Sequence, residues 1–291
     1  MNRRTVTRRR RIARHWLFVS AGLAWLLVFF AAPTANQLII SLQDGSLEAG
    51  YTFQWAVGNY LDVFDSYAPQ LWRSVRYAGS ATLIALLVGF PIAYFIATRG
   101  GRWRPFLLGL VVLPFFTSYL VRTIAWQSIL ADDGAALELL RSIGLVEAGE
   151  RVLATEAAVI VGLTYNFLPF MVLPLYVSLE RMDRRLIEAA TDLYASRELA
   201  FWKVTLPLAR PGIIAGSLLT FIPAAGDFVN AQLLGSPGQY MIGNVIQSKY
   251  LVISDYPAAA ALAITLMAVT LAAVLLYTRV FGRDQLAEAV R

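Results

Sequence analysis

Cysteine is absent from the 291 residues, which excludes a disulfide framework and a thiolate metal site and leaves the redox compartment open. Histidine occurs once, as His15 in an arginine-rich stretch, so the paired histidines of an H-E-x-x-H zinc helix cannot be assembled. Lysine is almost as scarce. Lys203 and Lys249 are the two in the chain, and neither follows the glycines of a G-x-x-x-x-G-K-[ST] phosphate loop, so nucleotide binding of that kind is excluded. G-x-S-x-G is missing as well. "AAGD" at 224–227 lacks the first glycine of G-x-G-D, and an acid dyad needs two carboxylates where Asp227 is the one acid well inside an apolar run. No catalytic set, metal or cofactor is therefore expected, and the chain does not read as an enzyme.

Charge is thin too: 15% of the residues are charged while 58% are hydrophobic, outside the ordinary range of soluble domains. Crossing about 30 Å of hydrocarbon takes roughly 20 apolar residues of helix. Six runs meet that length, at 16–40, 74–98, 105–130, 154–178, 211–233 and 258–280. The first is long, lacks an A-x-A cleavage site and precedes five more, so it reads as an uncleaved span. "RRTVTRRRRIAR" directly before it resembles a phosphate-binding run, but that position fits a cytoplasmic retention signal touching anionic lipid better than a nucleic-acid site. With the amino terminus inside, 19 of the 25 Lys and Arg fall in segments 1–15, 99–104, 179–210 and 279–291. That bias places both termini in the cytoplasm. The expected organisation is a basic tail at 1–15, one six-helix domain at 16–281 and a short tail at 282–291. Of the loops on the other side, "GNYLDVFDSYAPQLWRSV" mixes aromatics and acids as an interfacial helix does.

The loop between spans four and five carries "EAATDLYASRELAFWKVTLPLARPGI". Asp183 is placed to cap a helix over 184–193, where Leu186, Ala189, Ala190 and Leu193 recur at i, i+3, i+4 and i+7. Ser196 is placed to cap a second, shorter helix with Leu199, Trp202 and Val204, stopped by Pro207. Periodicity alone leaves open whether the apolar stripe lies on the chain's own helices, on headgroups or on a partner.

The residues of that loop resemble the EAA loop of ATP-binding-cassette importer permeases. Glu188, Ala189 and Ala190 match its E-A-A, and Leu206 and Pro207 its Leu-Pro, while Tyr194 stands at the family's glycine and Val204 at its isoleucine. "RSVRYAGSATLIALLVGFPIAYFIA" is similar to the second span of these permeases, and "LPFFTSYLVRTIAW", "PAAGDFVNAQLLG" and "IGNVIQSKYLVISDYPAAAALA" to the spermidine/putrescine branch. The resemblance implies an all-α membrane protein of the type I importer permease fold in a bacterial inner membrane. It implies ABC ATPase subunits docked on the loop at 183–207, a second permease subunit of like fold and an extracytoplasmic binding protein, with polyamine as the cargo. Other small solutes remain open within the same machinery. A stand-alone channel or secondary transporter needs no such loop, and the internal repeats common in secondary transporters are not evident.

Polar groups within spans are costly and default to function. Arg122 and Gln127 in span three, Asn166 in span four, and Asp227, Asn230 and Gln232 in span five are the candidates. Counted along straight helices, Arg122 and Asp227 lie at one depth, ~24 Å from the cytoplasmic ends at 1.5 Å per residue. An Arg122–Asp227 ion pair and a substrate role are equally open. A path for ammonium groups calls for acceptors and π-faces, which Asp227, Tyr165 and Asn166 supply. For Tyr194 two geometries compete. One is a right-handed or extended bend with the ring on a partner, and the other a strained left-handed turn with the ring packed near Trp202.

Overall fold

The computed structural model describes residues 20, 22–134, 138, 141–142, 144, 151–183 and 185–281. The two tails, His15, residue 184 and the start of the first apolar run lie outside the described residues. Five helices are long and apolar enough to cross a membrane: α1 (Gly22–Ser41), α2 (Gly58–Arg99), α5 (Glu156–Glu180), α7 (Arg197–Ala225) and α10 (Tyr256–Phe281). A sixth crossing exists if Gly101–Phe116 and Tyr119–Ile129, bent by 94° at a short break, count as one span. In that pair α3 covers Arg104–Val112 and α4 covers Tyr119–Ile129. Shorter helices are α6 (Arg185–Asp192), α8 (Val229–Leu234) and α9 (Ile242–Gln247).

The chain divides into two compact units, one of Ser66–Ser248 with the segment from Leu266 onward, the other ending at Asp65 and resuming over Lys249–Thr265. In the larger unit α5 is the central helix. Its most apolar stretch is 61% buried against 39% for α7. Val159, Leu163, Met171, Val172 and Leu175 of α5 are inaccessible and pack with Tyr77, Ala81, Ala85 and Ala93 of α2 and with Ala209, Ala224 and Ala225 of α7. Glycine sets the approach of α7 to α5. A Cβ at Gly212 would stand 2.6 Å from Ser178 Cβ and 2.7 Å from the Pro174 carbonyl oxygen, and one at Gly216 would stand 2.8 Å from Met171 Sδ. The spacing G-x-x-x-G is the small-residue pattern that lets two helices in lipid bring their backbones together.

In the smaller unit, a two-stranded hairpin follows α1. Strands β1 (Gln43–Ser46) and β2 (Gly50–Phe53) pair antiparallel, with Gln43 opposite Phe53. Asn59 Nδ2 donates to the carbonyls of Ser41 and Gln43 at 3.0 Å each, and the hydroxyls of Ser41 and Tyr60 lie 2.6 Å apart, so the end of α1 is tied to the start of α2. Tyr51 Oη donates to the Ser254 carbonyl at 2.7 Å.

Three expectations change. The interfacial helix at "GNYLDVFDSYAPQLWRSV" is continuous with the second span, because its Pro69 interrupts neither the pattern nor the helix. Pro207 does not stop the second loop helix. A π turn over Phe201–Thr205 intervenes, and the Leu206 N–H donates five residues back to Phe201, so the wider turn carries the chain past a residue that has no N–H to give. The third and fifth spans, read as straight helices, are each interrupted, after Phe116 and at Gly226.

Gly212→Val is expected to destabilise the protein by about 1–3 kcal/mol, because the branched side chain drives α7 off α5. Gly109→Ala in α3, where an added Cβ meets nothing within 4 Å, is expected to be neutral or stabilising by up to ~1 kcal/mol. Thermal unfolding of the detergent-solubilised variants compares the two directly.

Candidate functional site

Both interruptions lead to one place. At the first, Thr117 takes an extended conformation (φ −95°, ψ 144°) after the Leu113–Phe116 turn, and α4 restarts at Tyr119. At the second, α7 closes on Gly226, and Asp227 Oδ1 accepts the Asn230 backbone N–H at 2.8 Å, capping the restarted chain from the side. Phe228 O is held by Asn244 Nδ2 at 2.9 Å, while Gly243 lies so close that a Cβ there would come within 2.7 Å of Gly226 O. Irregular backbone in a span is tolerated where protein groups re-satisfy it or where it lines a cavity.

Tyr119 Oη donates to Asp227 Oδ2. Asn230 Nδ2 reaches the Tyr119 oxygen at 2.6 Å and Asp227 Oδ1 at 3.2 Å. From α5, Asn166 Nδ2 donates to Asn230 Oδ1 at 3.1 Å and to Thr123 Oγ1 at 3.2 Å, and the Thr123 hydroxyl donates to the Tyr119 carbonyl at 3.0 Å. Gly162 makes room, since a Cβ there would stand 2.6 Å from Asn230 Oδ1. Three interrupted or central helices thus meet at one buried polar cluster. Asp227 is 8% exposed, and all of its hydrogen-bond donors are neutral: a phenol, an amide side chain and a backbone N–H. Asn166 Oδ1 is buried with no partner. A carboxylate solvated by neutral dipoles and a spare carbonyl acceptor are groups to which a charged donor would bond more strongly, roughly twice as strongly as a neutral one.

Of the polar candidates, Asp227, Asn166 and Asn230 are brought together, and Tyr119 and Thr123 join them. The apolar setting of Tyr119, in "FFTSYLV", hid it. Tyr165 stands outside the cluster, edge-on to Trp126 at 5.2 Å, and Gln232 is exposed. The Arg122–Asp227 ion pair does not form. The bend turns Arg122 onto the rings of Phe115 and Tyr119, 4.9 and 5.8 Å from their centroids.

In the loop between the fourth and fifth long runs, the capping expectations hold. Asp183 Oδ1 accepts the Arg185 N–H at 3.0 Å, and Ser196 Oγ accepts the Leu199 N–H at 3.2 Å. Glu188 is exposed on α6 and lines a cavity of about 420 Å³ with Thr98, Arg104, Glu180 and Ile187. Ala189 is exposed, and Ala190 is half-buried. Leu206 packs on the main core, as does Phe201, which meets Phe90 and Tyr94 edge-on at 5.7 and 6.1 Å, and Pro207 is half-buried beside them. Tyr194 ends α6 with φ +60°. Its N–H donates to the Thr191 carbonyl at 3.0 Å and the Ala195 N–H to the Ala190 carbonyl at 3.0 Å, the bonding of a left-handed C-terminal cap normally built on glycine. The bend is thus not right-handed or extended, and the ring, 99% exposed, does not pack near Trp202.

Interrupted long helices around a buried polar cluster, with a doubly capped surface helix ahead of α7, define an α-helical protein of membrane-spanning type. The chain belongs to the family of binding-protein-dependent transport system inner membrane components, whose profile matches residues 85–283. It is similar to the spermidine/putrescine transport system permease protein PotB of Haemophilus influenzae, at 41% identity over 264 residues covering 90% of this chain and 92% of that one. PotB of Escherichia coli strain K12 is 38% identical over 258 residues, covering 88% and 94%. Among solved structures, a bacterial ABC transporter that imports the acidic polysaccharide alginate aligns with a TM-score of 0.66 at 20% identity, covering 94% of this chain and 98% of that one. The fold is that of an ABC importer permease, a transport component of the inner membrane rather than an enzyme.

Asn166→Leu is expected to cost about 1–3 kcal/mol, since it strands Asn230 Oδ1 without a donor. Gln232→Leu, at an exposed position outside the cluster, is expected to change stability by less than ~0.5 kcal/mol. Denaturation midpoints of the two purified variants provide the check.

Proposed function

We propose that this chain is the membrane-spanning subunit of an ABC importer for polyamines of the spermidine and putrescine class. The observation that carries the reading is Asp227, a buried carboxylate at a helix interruption whose donors are all neutral. An uncompensated buried charge is costly, so a site of this kind is stabilised by an arriving cation. Ammonium groups suit it: they donate to Asp227 and to the free Asn166 oxygen, and the faces of Tyr119 and Phe167, whose rings lie 6.2 Å apart, favour the charge and the methylene spacers. Binding displaces the Tyr119 hydroxyl from Asp227, a neutral donor exchanged for a charged one. The names of the similar PotB proteins point to the same cargo.

The segment at 183–207 is the proposed coupling element. ABC ATPase subunits dock on α6 and its continuation, with Glu188, Ala189 and Tyr194 presented outward, Ala190 half-buried behind them and Leu206 and Pro207 joining the loop to α7. α7 is one continuous helical path from Arg197 to Gly226, so a push on the loop is delivered at the interruption that holds Asp227. A second permease subunit completes the path, an extracytoplasmic binding protein delivers the amine, and the charge bias puts the loop and both termini in the cytoplasm. Closure of the ATPases then switches the access of the site by a rigid-body movement.

Asp227→Asn in the reconstituted importer is expected to lower polyamine uptake about 10- to 100-fold, the equivalent of a lost charged hydrogen bond, with little loss of folded protein. Uptake within twofold of wild type removes Asp227 from the path. For the loop, Tyr194 holds a left-handed conformation at a cost of about 1 kcal/mol while its ring touches nothing in its own chain, so its use lies on the ATPase. Tyr194→Gly is expected to relax the backbone yet weaken ATPase binding by about tenfold, the loss of an aromatic interface anchor. Equal or tighter binding of the purified ATPase to the glycine variant contradicts the anchor assignment.

A further inference from the structure

A second buried charge, Arg122, shares Tyr119 with the carboxylate, and the mechanism above makes no use of it. Arg122 lies one turn into α4, and its side chain folds back toward the start of that helix, as side chains on helices do. Its guanidinium is held over Phe115 on one side of the helix break and over Tyr119 on the other. The residue is 8% exposed, and its Nε and Nη1 are buried without a hydrogen-bond partner. Among the described residues no carboxylate forms an ion pair with it. The ring faces orient the cation without neutralising it. One tyrosine joins the two charges, its face under the guanidinium and its hydroxyl on Asp227.

A fixed positive charge without a counter-ion is an obstacle to cations, and channels and pores use an arginine in this manner to exclude them. Here it lies on the ring whose hydroxyl bonds the carboxylate that attracts them. The pair of fields sorts cations by architecture. A small monovalent ion that approaches Asp227 brings its whole charge into the field of Arg122 and has no apolar chain to offset that cost. A polyamine distributes several ammonium groups along an apolar chain, so one reaches Asp227 while the others stay away from the guanidinium, and its methylenes gain contact with Phe167, on the side of Tyr119 where the two rings lie 6.2 Å apart.

We propose that Arg122 is a specificity-determining residue, an electrostatic barrier that keeps inorganic monovalent cations off the path lined by Tyr119, Asp227 and Asn230. This rests on the reading of that cluster as the amine path. It supplies a reason for the missing ion pair: a carboxylate bonded to Arg122 would cancel the barrier and occupy the amine's acceptor at once.

The test uses the complete importer, with its ATPase, second permease subunit and binding protein, reconstituted in liposomes loaded with rubidium, chloride and a neutral sugar alcohol. Arg122→Gln is expected to raise rubidium efflux during ATP turnover at least ~10-fold, the scale on which a local charge alters ion concentration, with sugar-alcohol efflux at the wild-type level. Arg122→Lys, which keeps the charge, is expected to stay as tight as wild type. Phe115→Glu places a carboxylate against the guanidinium and is expected to leak rubidium as the glutamine variant does. It takes over the test if Arg122→Gln does not assemble. Rubidium-tight neutralised variants, an equal rise for the sugar alcohol, or a leaking lysine variant each overturn the barrier, and so does uptake by the wild type that depends on chloride, which would make Arg122 an anion site. Asp227→Asn in the same vesicles separates the two claims. Normal polyamine uptake there defeats the path reading, whereas lost uptake beside tight Arg122 variants defeats the barrier alone.

Discussion

A carboxylate enclosed by neutral donors is the constraint around which the larger unit is arranged. An acid in an apolar span has to be solvated by the protein, and Asp227 obtains that from Tyr119, from the Asn230 side chain and from the Asn230 backbone. Two of those donors are available because the helices that carry them do not run straight. The restart of α4 at Tyr119 and the restart of the chain after Gly226 turn ordinary polar side chains into a shell around one anion. α5 completes the shell with Asn166, and it reaches that far because Gly162 leaves space for Asn230. Neutral solvation holds the charge without satisfying it, the condition a site for a passing cation requires.

The same helices connect that site to the surface loop. Gly212 and Gly216 seat α7 against α5, while Phe201 and Leu206 root the beginning of α7 in the core formed with α2. The loop is thus not a flexible attachment but the near end of a packed rod whose far end is the Asp227 interruption. A π turn at Phe201–Thr205 lies inside the rod. Such turns are frequent at functional positions, and this one joins the proposed docking surface to α7.

Much of this was legible in the sequence wherever the signal is local. The number of long apolar runs follows from length and composition, and the caps at Asp183 and Ser196 from the short polar side chains that satisfy the first N–H groups of a helix. What escaped depends on geometry between segments. Pro114 with Thr117 and Ser118 marks a break in hindsight, yet a 94° bend cannot be read from an apolar run that is long enough to span. Assuming straight helices put Arg122 and Asp227 at one depth and made an ion pair attractive; the bend instead gave Arg122 to two aromatic rings. Gln232 met the polarity criterion and Tyr165 offered a ring face, but neither joins the cluster, since residue type says that a side chain needs a partner and not which one. Tyr194 shows a further limit, because a tyrosine took up the left-handed cap that its neighbours' hydrogen bonds demand.

The claim that most of this account depends on is that a cationic amine occupies the Asp227 cluster during transport. Its most direct measurement is a structure of the assembled importer, stalled by an ATP analogue after delivery of an amine labelled with a heavy atom. The account predicts label density in the cluster, an ammonium within hydrogen-bond reach of Asp227 and the Tyr119 hydroxyl moved off the carboxylate. Label bound elsewhere in the membrane domain, with Tyr119 still donating to Asp227, would contradict it.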